Sequence, residues 1–364
     1  MDPASAASPG GGVAPIRLFS TFALRRSPLL PPDTAVEVEV TLFAGDEVCT
    51  WRQLERLDTP SKDISAHIRV PLTSTLARTL RESLRTTVET SVRHLGCLVH
   101  RQSHAVTLLA IDEWRDDGVC HVFLPSFVMP RDPAAIELVR LARRCLGALT
   151  DDFSAGFDGY QSGRTTAVDL QVRAIWAAIV QEWQPGYINP PPSFSRSSQR
   201  LRTPSAILRE RAGTCIDLSL LLAACLEYVD IHPFLVLGPG HAYVGYCREN
   251  RPHGERLIPI QDSELAPPPS QSLDNRQTPQ ASQRIPPPWV YDRAYHRAIV
   301  RQLDQGRIVA IEATGLSRPL PFEEACRLGA RTLCKRLEFD CLIDVPGARA
   351  PGHDVTPLPT VTSA

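Results

Sequence analysis

Along AVEVEVTLF (35–43) apolar and polar residues alternate strictly, which puts Val36, Val38, Val40 and Leu42 on one face of a predicted strand. The same period returns at Thr86, Val88, Thr90 and Val92 in LRTTVETSVRHLG, where Gly96 offers a turn. Between them Leu76, Leu80 and Leu84 recur every four residues, so 75–84 stays open between helix and strand. Residues 33–125 are therefore expected to form an antiparallel β-sandwich behind a flexible N-terminus over 1–32.

Near residue 130 the period changes. PRDPAAIELVRLARRCLGAL places Pro133 at a helix start and carries Ile136, Val139, Leu141 and Leu146 at helical spacing. In TTAVDLQVRAIWAAIVQEW the residues Val168, Val172, Ile175, Ile179 and Trp183 make one apolar stripe, and Trp176 and Trp183 read as packing residues. Three prolines in YINPPPSF (187–194) end that pattern. RAGTCIDLSLLLAACLEYV (211–229) predicts a long apolar helix, and HPFLVLGPGHAYVGYC a strand, a Pro-Gly turn and a strand opening at His241. Residues 266–288 hold seven prolines with Ser and Gln, an insertion too poor in apolar residues to join a core. It reads as a surface loop, or as an arm over a cleft. WVYDRAYHRAIVRQLDQG (289–306) reads as a helix, GRIVAIEATGL (306–316) as a strand, and PFEEACRLGARTLCKRLEFDCLIDV as a helix and a short strand. A flexible tail is expected over 346–364. The fold class is α+β, with the second domain at 133–345 interrupted by the insertion.

Composition narrows what this chain does. With 364 residues, 43% hydrophobic and 22% charged, it is long enough for two globular domains. A net charge of -1 without like-charge runs supplies no field for nucleic acid, so no direct nucleic-acid binding is expected. No run reaches the ~18 apolar residues of a spanning helix, and MDPASAASPGGGV lacks the basic start of a signal peptide. Ten cysteines form no CxxC pair and no regular framework, which points to reduced thiols in a cytoplasmic protein without a zinc site.

One cysteine is placed for chemistry. Thr214 is spaced to cap the helix with Asp217 three residues on, so Cys215 falls in the first turn, where unpaired N–H groups favour a thiolate. Cys225, among Leu221, Leu222 and Leu226, is expected to be buried and inert. His241 follows Cys215 by 26 residues at a strand start, and an imidazole within hydrogen-bond reach of sulfur makes a nucleophile of it. Two acids compete to orient that imidazole. Asp262 follows the apolar run of LIPIQDSEL, while Glu312 ends the alternating IVAIE; Glu312 is preferred.

The run RTPSAILRERAGTCIDLSLLLAACLEYVDIHPFLVLGPGHAYVGY resembles the core of the transglutaminase-like superfamily of cysteine peptidases and acyltransferases, most of all a bacterial branch found beside or fused to helicase-type proteins. The resemblance covers most of 160–246 and, after a gap, 306–345. It implies a papain-like domain and a Cys215–His241–acid triad acting on a protein or peptide amide, by hydrolysis or acyl transfer. The family's strand ends in acidic-x-Thr, which Glu312-Ala-Thr resembles, with Glu in place of the commoner Asp and a longer gap after the histidine. The Cys215 backbone N–H is a candidate oxyanion donor and Gln199 a second. No cofactor or metal is implied. The alternative is a catalytically silent binding module of a larger bacterial defence or nucleic-acid-processing assembly, docking a protein partner through the β-sandwich or the insertion.

Overall fold

Alternation and helical spacing both survive into the architecture. The computed structural model describes residues 19, 21–65, 67–68, 70, 80–116, 120–190, 193, 198–252, 255–259, 287–353 and 355–359. Asp262, residues 75–79 of the ambiguous stretch and 266–286 of the insertion lie outside the described residues. The chain divides into two units, Met1–Glu113 and Trp114–Ala364. Residues 114–125, placed by the sequence reading with the β-domain, belong to the second.

In the first unit β1 (Ala23–Arg25), β2 (Thr34–Ala44), β3 (Glu47–Leu57), β4 (Ser61–Asp63), β5 (Leu84–His94) and β6 (Cys97–Leu108) are all antiparallel. One sheet has the order β3-β2-β5-β6, and β1 pairs with β4. The alternating face of β2 points inward: Val38 and Val40 are fully buried and meet Val88 and Val92 of β5. Leu24 and Ile64 join that core, which the four-stranded sheet shares with the small β1/β4 ribbon. This also corrects the flexible N-terminus, because Ala23–Arg25 is hydrogen-bonded to Ser61–Asp63 and Leu24 is buried. Leu95 and Gly96 both take positive φ in the β5–β6 turn, a two-residue turn whose twist matches the strands.

The second unit mixes helix and antiparallel strand, an α+β arrangement. Its helices are α1 (Pro133–Thr150), α2 (Thr165–Ala178), α3 (Pro204–Glu210), α4 (Cys215–Tyr228), α5 (His296–Asp304), α6 (Phe322–Leu333) and α7 (Val345–Arg349). Its main strands are β7 (Pro233–Gly238), β8 (His241–Cys247), β9 (Val290–Asp292), β10 (Ile308–Ile311) and β11 (Cys341–Asp344), in the order β9-β11-β7-β8-β10. Every residue of α4 from Ile216 to Leu226 is buried, the mark of a central helix packed on all sides. It packs on β7 and β8 with α1 and α2 beside it. The stripe Val168, Val172, Ile175, Ile179, Trp183 is buried throughout. On α1 it is Leu138, with Val139, Ala142 and Leu146, that turns inward, while Ile136 is exposed.

Two further expectations fail. Residues 289–306 are not one helix: Val290–Asp292 adds β9 beside β11, and only His296–Asp304 is helical. Val290 and Tyr291 favour a strand, and the Asp292 side chain then accepts the Ala294 N–H at 2.9 Å to turn the chain. Nor is the stretch after Pro346 a free tail. Val345–Arg349 is helical, Ala348 and Val355 are buried, and Arg349 forms an ion pair with Glu227 of α4 at 3.0 Å. Among the described residues no helix is long and apolar enough to cross a membrane.

Candidate active site

The Pro239–Gly240 turn sets Gly238 opposite His241, so the histidine opens β8 at the end of the sheet where β7 stops. On its other side β8 pairs with β10, with Val244 opposite Ile311, and Glu312 follows directly. Glu312 therefore emerges at the His241 end. Its Oε2 lies 2.9 Å from His241 Nε2, while Oε1 accepts the Thr314 hydroxyl at 2.8 Å and the Thr314 N–H at 3.2 Å. With Nε2 taken, Nδ1 is the ring nitrogen left for sulfur. The imidazole stacks on Tyr243 of the same strand face, ring centroids 5.9 Å apart.

Cys215 is the first residue of α4. Thr214 Oγ1 accepts the Asp217 N–H at 3.2 Å and the Asp217 carboxylate accepts the Thr214 N–H at 2.9 Å, a complete capping box. Ser219 donates to the Cys215 carbonyl at 2.7 Å and reaches the Ala242 carbonyl at 3.4 Å, which ties the helix mouth to the strand of His241.

Burial raises the Cys215 thiol, but the His241 imidazole and the Ala242 and Ile216 backbone N–H groups lower it by more, leaving it below its ordinary value. His241 is pushed up to about 10 by hydrogen bonding to Cys215 and to Glu312. Burial raises Glu312, while His241 and Thr314 together hold it below the usual carboxylate range. All three shifts favour a thiolate–imidazolium–carboxylate array. Cys225, wholly buried in α4, is pushed far up by desolvation and stays a thiol.

A second Cys–His–Asp series shows why position matters. Cys341 Sγ lies 3.5 Å from His121 Nδ1, and His121 Nε2 lies 2.6 Å from Asp116. Yet Cys341 opens a strand instead of a helix, and burial pushes it up to about 12. Its sulfur remains protonated.

The sequence reading missed Tyr187. Gly186–Tyr187 runs parallel to Ala212–Gly213, with Tyr187 opposite Gly213 and the Ile188 N–H donating to the Gly213 carbonyl at 3.2 Å. This brings the phenol to Cys215, where it interacts with the thiol and with the Cys215 backbone N–H; burial first and the sulfur second raise its pKa. The expected oxyanion donor, that N–H, thus faces a tyrosine oxygen. A Tyr just before a proline run carries no periodic signal, because a two-residue strand places it. Gln199 lies half-buried in the short strand Ser198–Arg200, and among the described residues no hydrogen bond joins its side chain to Cys215, His241 or Glu312. Also among the described residues, no group of three His, Cys, Asp or Glu is arranged to hold a metal.

Comparison with known proteins finds no matching family model, no similar curated protein and no similar solved structure.

Proposed function

We propose that the chain is a transglutaminase-like cysteine hydrolase or acyltransferase, with an N-terminal β-domain and a papain-like catalytic domain. One observation carries this reading: a half-buried thiol of lowered pKa at a helix mouth, facing an imidazole whose far nitrogen is held by Glu312 at 2.9 Å. In the reaction the Cys215 thiolate attacks the carbonyl carbon of a protein or peptide amide. His241 gives its proton to the departing amine, and Glu312 keeps the ring oriented and stabilises its charge. Water or a second amine then attacks the thioester, with His241 as base, and the thiolate leaves.

The test is to trap the thioester. After incubation with an activated acyl donor, intact mass should rise by one acyl group, and peptide mapping should place it on Cys215. Cys215→Ser should abolish the adduct, and Glu312→Gln should slow its formation by about 10²-fold or more, since an imidazole without its orienting acid is the wrong tautomer or wrongly turned. An unlabelled Cys215 in folded protein would turn the reading to the alternative, a silent binding module of the same fold.

A further inference from the structure

Asp217 lies two residues past the thiol with no exposed surface, a position at which a carboxylate opposes a thiolate. It is nonetheless fully engaged. Besides the Thr214 N–H, it accepts the Arg202 backbone N–H at 2.8 Å and Arg202 Nη1 at 3.2 Å. The Arg202 side chain is only 9% exposed, and its Nε donates to the half-exposed Glu210 at 2.8 Å. One cation is thus shared between a buried carboxylate beside the nucleophile and a surface carboxylate. Among the described residues the other titratable groups facing Cys215 are His241 from β8 and Tyr187 from its short strand, with Glu312 behind the imidazole, while Glu210 also pairs with the exposed Arg209 at 3.3 Å.

We propose that Arg202 is a positioning residue that cancels the charge of Asp217, so that the capping box can hold the mouth of α4 without opposing the Cys215 thiolate. This rests on the reading of Cys215 as nucleophile. Arg202 does not touch the sulfur; it acts through the carboxylate. The arrangement explains why an acid is tolerated at the third helical position in front of a thiol, when the same capping hydrogen bonds could come from a neutral Asn or Gln. It also gives the surface residue Glu210 a leverage on the site, because Glu210 draws on the same guanidinium.

The pH profile of Cys215 alkylation by iodoacetamide, read by peptide mapping alongside thermal unfolding, tests this. Arg202→Gln keeps a donor but loses the charge. Its profile should move up by about one pH unit, an approximately tenfold loss of labelling at any pH below the original midpoint. Arg202→Lys should stay within about twofold of the natural protein, and the double variant Arg202→Gln/Asp217→Asn should return toward the original midpoint. Glu210→Gln, an exposed change that leaves the core alone, should move the profile slightly down. A folded Arg202→Gln with the original midpoint, or a double variant no better than the single, overturns the proposal. If Arg202→Gln does not fold, Glu210→Gln decides: an unmoved or raised midpoint overturns it. Slow labelling of the natural protein would instead overturn the nucleophile reading, whereas fast labelling insensitive to every variant overturns only the role of Arg202.

Discussion

At Cys215 the balance lies between burial, which disfavours a thiolate, and four groups that favour it: an imidazole, two N–H groups and a helix mouth. The partners make the pH window explicit. Glu312 is held below its unfolded pKa, so its stabilisation is present above that value and is lost as pH falls through the folded one. His241 is raised from 6.5 to about 10, so its stabilisation is complete below 6.5 and is lost as pH rises through about 10. The melting temperature of the natural protein should therefore exceed that of Glu312→Gln most around pH 6, and the difference should close toward pH 10; a difference constant with pH would contradict the pair. Tyr187 raises a separate question, since its phenol interacts with the Cys215 N–H that the proposed reaction would offer to an acyl oxygen. Tyr187→Phe should speed acylation by a small ester about fivefold, the value of one ordinary hydrogen bond released. A fall of 10²-fold would mean that the phenol donates to the oxyanion instead.

Among the elements, β8 leaves little room for change. It runs between β7 and β10, presents His241 at its start and passes Gly245 beneath Phe234, where an added Cβ would lie 2.1 Å from the ring and 2.4 Å from the Val309 carbonyl. Gly245→Ala should destabilise the protein by about 1–3 kcal/mol through overpacking and displace β10, which leads into Glu312. Chemical denaturation with Cys215 labelling measures both, and an unchanged midpoint would mean that the strands part at no cost. α6 approaches the same strand closely, Gly329 standing where a Cβ would lie 2.5 Å from the Ala310 carbonyl.

Over the whole second unit, residues distant in sequence close the structure around α4. Arg349 bonds to Glu227 at the C-terminal end of α4 and to the carbonyls of Pro125, Val128 and Val355. The segment after 345 is thereby tied to the residues ahead of α1. Arg349→Ala should cost about 1.5–3 kcal/mol, the range for charge-assisted hydrogen bonds, measured by urea unfolding. A loss below ~0.5 kcal/mol, as for a surface ion pair, would return the segment to the free tail that its composition suggested.

Local periodicity was enough to determine β2, the stripe of α2, the capping box before Cys215 and the Pro-Gly turn before His241, because each depends on neighbours a few residues apart. The closeness of Glu312 to His241 was only one of two options in the chain, since a contact across 71 residues leaves no mark in local spacing. Tertiary structure decided that pairing. It also decided that Val290–Asp292 is an edge strand, that Tyr187 reaches the thiol, and that Arg202 shares its charge between Asp217 and Glu210. These are contacts between segments whose own patterns are short or ambiguous, and their energies come from partners that the chain supplies only once it has folded.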